Sequence, residues 1–294
     1  MIHSYLRSIG FYKLYQNEEL YNILEDIVTH PDEQMTYKDS FYNDFAFFSK
    51  SVGENMGISI CGNFTGADEF HFEYYYPYFY GSNITTYEPV EIERCSAQES
   101  YMGICDELKL GVPLIFHVTN IIDVLREKNF NKTFLDVDNI VISGLGHSGK
   151  ILFPTAKTPQ IAKMKQKSSE KRLELMSQAR DGNRSAMENL TLSDMDTYAS
   201  VSRRIMKEDI FSIVESSLIP YGVESNQYTV VGEILNYYKI KNQISGENVW
   251  IMTLLCNELK FDICINEQNL LGEPGIGRRF RGRISMQGYL NFGY

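Results

Sequence analysis

The chain of 294 residues is poor in the residue types that most often build metal and redox sites. His3, His30, His71, His117 and His147 are its only histidines, and no H-E-x-x-H occurs. That excludes a helix-borne zinc site of the protease type. The five cysteines, Cys61, Cys95, Cys105, Cys256 and Cys264, are odd in number and contain no C-x-x-C. A disulfide framework and a thiolate metal site are both disfavoured. No G-x-S-x-G marks a nucleophile. No cofactor, metal or catalytic residue is therefore expected. Long apolar runs are missing too: Val249–Cys256 is the longest, far short of the roughly 20 residues of a membrane span. The start, Met1-Ile2-His3-Ser4-Tyr5-Leu6-Arg7, has neither an apolar core nor a small-residue cleavage site. These absences predict a reduced, cytoplasmic protein with no membrane partner.

Positive charge is also scarce. Lys and Arg number 28 against 38 Asp and Glu, a net charge of −10, which makes nucleic acid an unfavourable general partner. The imbalance is local. Residues 1–150 hold 10 Lys/Arg and 22 Asp/Glu, residues 151–220 hold 11 and 9, and residues 221–294 hold 7 and 7.

Hydrophobic residues make up 43% and charged residues 22%, a globular composition. The length suits one large domain or two ordinary ones. Twenty Tyr and 17 Phe stand against one Trp. Rings with one wet end suit half-buried β faces and subunit contacts.

Asn17 is placed to cap a helix whose stripe is Leu20, Ile23, Leu24, Ile27 and Val28, with His30-Pro31 ending it. Strand-like runs follow at 45–52, 56–64, 70–80, 86–94 and 110–119. A short helix is expected over 121–128. Ile140–Ser143 and Lys150–Phe153 read as a hairpin. Pro154–Arg184 is dense in Lys and Arg and sparse in apolar residues, so it reads as an exposed helix or connector. Two helices are expected next, one from Ser193 or Asp194 and one holding Ile210, Phe211, Ile213, Val214 and Leu218, closed by Pro220-Tyr221-Gly222. Runs at 228–241, 249–256, 259–265 and 279–290 then read as strands. Three strands, a crossing and a final pair is the order of a small OB-like barrel. Only one run follows the crossing, so it would have to bend at Gly282 or Gly288.

The expected fold is α+β in three parts. Residues 1–155 form an N-terminal mixed antiparallel sheet domain with helices. Residues 156–220 form a basic helical connector and helix pair. Residues 221–294 form a small antiparallel OB-like barrel or sheet.

Gly144-Leu145-Gly146-His147-Ser148-Gly149-Lys150 fits G-x-x-x-x-G-K. Ile151 stands where a Mg²⁺-ligating Ser or Thr should be, and Pro154 falls where a helix should run. A glycine-rich hairpin turn is the better reading. Phe70–Tyr80 holds eight aromatics in eleven residues. It is read as core or interface, with Pro77 marking an edge or bulge. Arg278, Arg279, Arg281 and Arg283 are a basic cluster that either answers the acidic first half or contacts a ligand. These four arginines with Tyr75, Tyr78 and Tyr80 are the candidate contact residues.

Several segments carry a resemblance: Tyr5-Leu6-Arg7-Ser8-Ile9-Gly10-Phe11, the stretch Glu188–Tyr198, Pro220-Tyr221-Gly222-Val223-Glu224, Gly277-Arg278-Arg279-Phe280-Arg281-Gly282 and Met286-Gln287-Gly288. Together they resemble an uncharacterised family of cytoplasmic proteins of about this length from anaerobic Gram-positive bacteria. The resemblance implies a coherent full-length protein and no particular chemistry. The sequence thus favours a non-catalytic interaction or ligand-binding protein, self-associating as a homodimer. The alternatives are an enzyme of unrecognised type, with its site between the two domains, and a single-stranded nucleic-acid binder using the barrel.

Overall fold

The computed structural model describes residues 4–38, 44–65, 69–95, 100–107, 109–110, 112–127, 134–135, 137–155, 159–205 and 214–293. Leu20, Leu24 and Ile27 recur at helical spacing and are buried along α1 (Asn17–Thr29). Asn17 is already helical, and Gln16 precedes it without a side-chain cap. Strands β1 (Glu33–Lys38), β2 (Asp44–Gly53), β3 (Met56–Thr65) and β4 (Glu69–Phe79) form an antiparallel sheet in that order. Strand alternation sends Phe45, Phe47, Cys61, Tyr76 and Tyr78 into one core. It sends Ala46, Phe48, Ile58, Ile60 and Phe79 into a second core, shared with α1. β2, β3 and the last residues of β4 are thus buried on both faces, while β1 is an exposed edge.

Next come β5 (Val90–Arg94), β6 (Tyr101–Cys105), β7 (Leu114–Val118), α2 (Ile121–Glu127) and β8 (Phe134–Leu135). The strand expected from Thr86 begins only at Val90, and Thr86 makes a lone bridge to Ile140. The hairpin expected around Gly144–Lys150 is instead one continuous strand, β9 (Asn139–Leu152). Its glycines do not turn the chain. A Cβ on Gly144 would lie 2.9 Å from Ile263, and one on Gly149 would lie 2.3 Å from Phe280. They make room for side chains of neighbouring strands. The G-x-x-x-x-G-K stretch is extended strand rather than a phosphate-cradling loop.

Helices α3 (Pro159–Arg180) and α4 (Arg184–Ile205) follow. Gly182, at φ +86°, ends α3. The N–H groups of Gly182 and Asn183 donate to the carbonyls of Ala179 and Gln178, each at 3.0 Å, a Schellman end that needs a left-handed residue. Asn183 Oδ1 then accepts the Ala186 N–H at 3.2 Å and caps α4. That cap starts the helix ten residues before Asp194. Of the helix expected to hold residues 210–218, positions 210–213 lie outside the described residues, 214–216 have no regular structure, and Ser217–Pro220 is a strand, β10.

The remaining strands are β11 (Gln227–Lys241), β12 (Asn248–Cys256), β13 (Leu259–Asn266), β14 (Leu270–Leu271) and β15 (Arg279–Asn291). Asn257 and Glu258, at φ 48° and 65°, make the tight turn from β12 to β13. β11 pairs β12, β12 pairs β13, β13 pairs β9, β9 pairs β15, and β15 returns to β11. A five-stranded barrel closes. Its β13–β9 seam is parallel, which corrects the all-antiparallel expectation. Nor does β15 bend into two strands. It matches β9 from Arg279 opposite Leu152 to Asn291 opposite Asn139. The fifth strand is β9, so the barrel draws on sequence from both sides of residue 155. β10 borders β11, while β7, β6, β5 and β8 extend the sheet beyond β15.

Side chains join the small sheet to the barrel. Gln287 Nε2 donates to Pro77 O at 2.8 Å, and Gln287 Oε1 accepts the Phe79 N–H at 3.0 Å, both buried. Ser143 Oγ donates to Phe79 O at 2.5 Å. The free edge of β4 is occupied at this point. Leu6, Ile9 and Phe11 pack in the same core as Leu145, Val249, Ile251 and Cys264 of the barrel. These barrel residues alternate with the interior ones, such as Met252 and Ile263, so the N-terminal segment covers the barrel's outer face at β9, β12 and β13.

Candidate functional site

The loop after β6 turns at once. The Glu107 N–H donates to Cys105 O and the Leu110 N–H donates to Glu107 O, each at 3.0 Å. The turn leaves the Asp106 side chain 68% exposed and Glu107 only 4% exposed. Glu107 Oε1 accepts the Lys109 N–H at 3.2 Å. Glu107 Oε2 is buried without a hydrogen-bond partner among the described residues. A polar atom in that state is costly unless something else satisfies it.

The last turn of α3 approaches this loop. Met176, Ala179 and Arg180 share one helix face by their spacing. With Leu190 of α4 and with Val112 and Pro113 they line an open cleft of about 330 Å³ that Asp106 and Glu107 also border. That volume lies at the lower end for a small-molecule site. Arg180 Nη2 stands 3.6 Å from Asp106 Oδ2, with about half of its side chain exposed. Such a pair contributes only about 0–1 kcal/mol, so Asp106 is weakly held. Cys105 lies buried at the head of the loop. Burial pushes its thiol up to about 12, and the charges of Glu107, Glu88 and Asp106 push the same way. At neutral pH it is a protonated thiol with little nucleophilic character.

The four arginines singled out by sequence have separate surroundings. Arg279 is buried. Its Nε donates to Phe153 O at 3.0 Å and its Nη1 to Val214 O at 2.7 Å, tying the chain after β9 and before β10 to β15. Burial lowers its pKa and the charge of Glu215 opposes that shift. Exposed Arg278 donates to Glu273 O at 2.8 Å within its own loop. Arg281 is half-buried opposite Lys150. Arg283 donates to the Tyr221 hydroxyl at 2.8 Å and lies 5.1 Å from the centre of that ring.

Arg283 also marks a β-bulge. It pairs with Ser148 while Ile284 pairs with Gly146, which leaves His147 as the extra residue. His147 meets Tyr5 edge-on at 6.3 Å. Burial lowers the His147 pKa, and the charges of Arg283 and Arg7 lower it further. The Tyr5 hydroxyl donates to Glu224 Oε2 at 3.0 Å and accepts from Gln227 Nε2 at 2.5 Å. Burial, then the charge of Glu224, pushes the phenol up to about 12. This cluster staples the N-terminal segment to the barrel.

The three tyrosines divide between both faces of β4. Tyr78 is buried and stacks on half-buried Tyr80 at 4.6 Å, and Tyr80 meets Tyr289 at 5.6 Å. Tyr75 belongs to the other face and lies 6.4 Å from Phe72. They form no common stacking surface.

Asp106, Glu107, Met176, Arg180 and Leu190 were not legible as site residues. No motif joins them. Two adjacent acids after a strand are unremarkable in so acidic a half, and only the fold brings α3 over them. Among the described residues, no group of three His, Cys, Asp or Glu is placed to hold a metal ion. No described helix is long and apolar enough to cross a membrane.

No curated protein and no solved structure matches the chain. Residues 6–288 match the family described as "Domain of unknown function, E. rectale Gene description (DUF3881)", and the chain therefore belongs to that family.

Proposed function

We propose that the chain is a cytoplasmic, non-catalytic ligand-binding protein whose ligand enters the cleft that the α3–α4 hairpin forms with Asp106, Glu107, Val112 and Pro113. The observation that carries this reading is the cleft itself: apolar walls that adjoin Glu107, whose Oε2 is buried without a partner among the described residues. The protonated state of Cys105 favours binding over covalent chemistry there.

The nucleic-acid alternative is weaker. The ring of pairings resembles an OB barrel whose last strand, β9, precedes the others in sequence. Barrels of that kind bind strands on the face of their second and third strands, here β12 and β13. In this chain Val249, Ile251 and Cys264 of that face lie under the N-terminal segment. The arginines of β15 lie elsewhere, and Arg279 is committed to backbone carbonyls.

Thermal-shift screening of a mixed-charge fragment library tests the reading. Compounds that raise the melting temperature of the wild type should lose that effect in Ala179→Trp, whose indole would fill the cleft. Stabilising compounds that act equally on both proteins would place the binding site elsewhere.

A further inference from the structure

We propose that the cleft selects a protonated amine carried on a short apolar body. The inference rests on the binding reading above and names its ligand class. Met176, Ala179, Leu190 and Val112 offer walls suited to an alkyl chain. The charged groups are two carboxylates and one arginine. Arg180 already answers Asp106, at 3.6 Å and half exposed. Among the described residues nothing answers Glu107 Oε2, although its side chain is almost wholly buried.

The missing partner must donate a hydrogen bond. A hydroxyl would satisfy the bond and leave the charge unbalanced. An ammonium satisfies both, as a charge-assisted bond in a dehydrated site. An anion would meet two carboxylates. A metal ion would find only two carboxylate side chains where a hard cation takes six or more oxygens.

Calorimetric titration at neutral pH with 1-hexylamine, 1-hexanol and hexanoate tests the inference. Hexylamine should bind at least about tenfold more tightly than hexanol, and hexanoate should not bind. Glu107→Gln should weaken hexylamine by at least about tenfold and leave hexanol unchanged. Arg180→Ala removes the competing cation at an exposed position, so it should tighten hexylamine. This keeps the test open if Glu107→Gln fails to fold. Nα-acetyl-lysine amide locates the source of the amine: stronger binding than hexylamine points to a protein side chain, weaker binding to a free small molecule, and either ranking upholds the amine class. Equal affinity for hexylamine and hexanol, or hexylamine binding unaltered by Glu107→Gln, would overturn the selection and leave the cleft as an apolar binding site. Silence from every probe, together with fragment binding that ignores Ala179→Trp, would overturn both readings.

Discussion

The barrel and the helical hairpin that interrupts it follow opposite plans. β9 and β15 run side by side over their whole lengths, and Ile140, Ile142, Phe280, Ile284, Met286 and Leu290 between them are buried. In α3 and α4, Ala186 is the buried apolar side chain among those described, while Leu192, Met195 and Tyr198 are 61%, 64% and 77% exposed. Apolar burial stabilises at about 25 cal/mol per Å², so stability resides in the barrel. The hairpin leaves the barrel after β9 and returns before β10, and it contributes one wall of the cleft. A rigid frame carrying an excursion of low intrinsic stability is a common arrangement for binding.

The sharpest way to break this comparison is to truncate one aromatic in each region. Phe280 fills the space above Gly149 and has no exposed surface. Phe280→Ala should cost about 3–5 kcal/mol. Tyr198→Ala on α4 should change stability by no more than about 0.5 kcal/mol. Urea unfolding of both variants measures the difference. Similar losses would mean that the hairpin is part of the stable frame.

A smaller effect tests the joint between the small sheet and the barrel. Gln287→Ala leaves Pro77 O and the Phe79 N–H buried without partners. The cost should be about 1–3 kcal/mol. Hydrogen exchange should show faster loss of protection at the Phe79 amide than at amides of β12. Unchanged exchange at Phe79 would show that the Gln287 bridge is dispensable.

How much of this was legible in the sequence differs between the regions for a physical reason. Runs such as Tyr228–Lys241 and Leu259–Ile265 announce strands because apolar and β-branched residues recur at short spacing between turn residues. Helix α1 announced itself by the helical spacing of its apolar stripe. β9 did not, because Gly144, Gly146 and Gly149 carry the signature of a turn. Their reason, close approach of Ile263, Cys264 and Phe280, lies in strands more than a hundred residues away. Barrel closure was hidden with it, since the missing fifth strand was sought after the crossing rather than before it. Arg279 was visible as a charge, but its carbonyl partners, Phe153 and Val214, belong to irregular segments without pattern. The cleft was least legible, being built from residues that only tertiary packing brings together.

The smallest expected effect belongs to the hairpin. Arg172 Nη1 and Asp194 Oδ1 form an ion pair across it at 2.5 Å, with the two side chains 49% and 56% exposed. Exposed pairs contribute about 0–1 kcal/mol and weaken with salt. Trypsin should cut the native chain first within α3 or α4, where Lys171, Arg172, Arg180 and Arg184 are exposed. When reclosing outpaces cleavage, the cutting rate follows the population of the opened state. Arg172→Gln removes one cleavage site, so the reading is taken at the bonds after Arg180 and Arg184. Cleavage there should rise by no more than about fivefold at low salt, and by less in molar salt. The nicked protein should still elute as one species, because β9 on one side of the cut pairs with β13 and β15 on the other. Separation of the fragments under native conditions would show that the barrel depends on the hairpin's covalent link. A first cut inside β9 or β15 would reverse the assignment of frame and excursion.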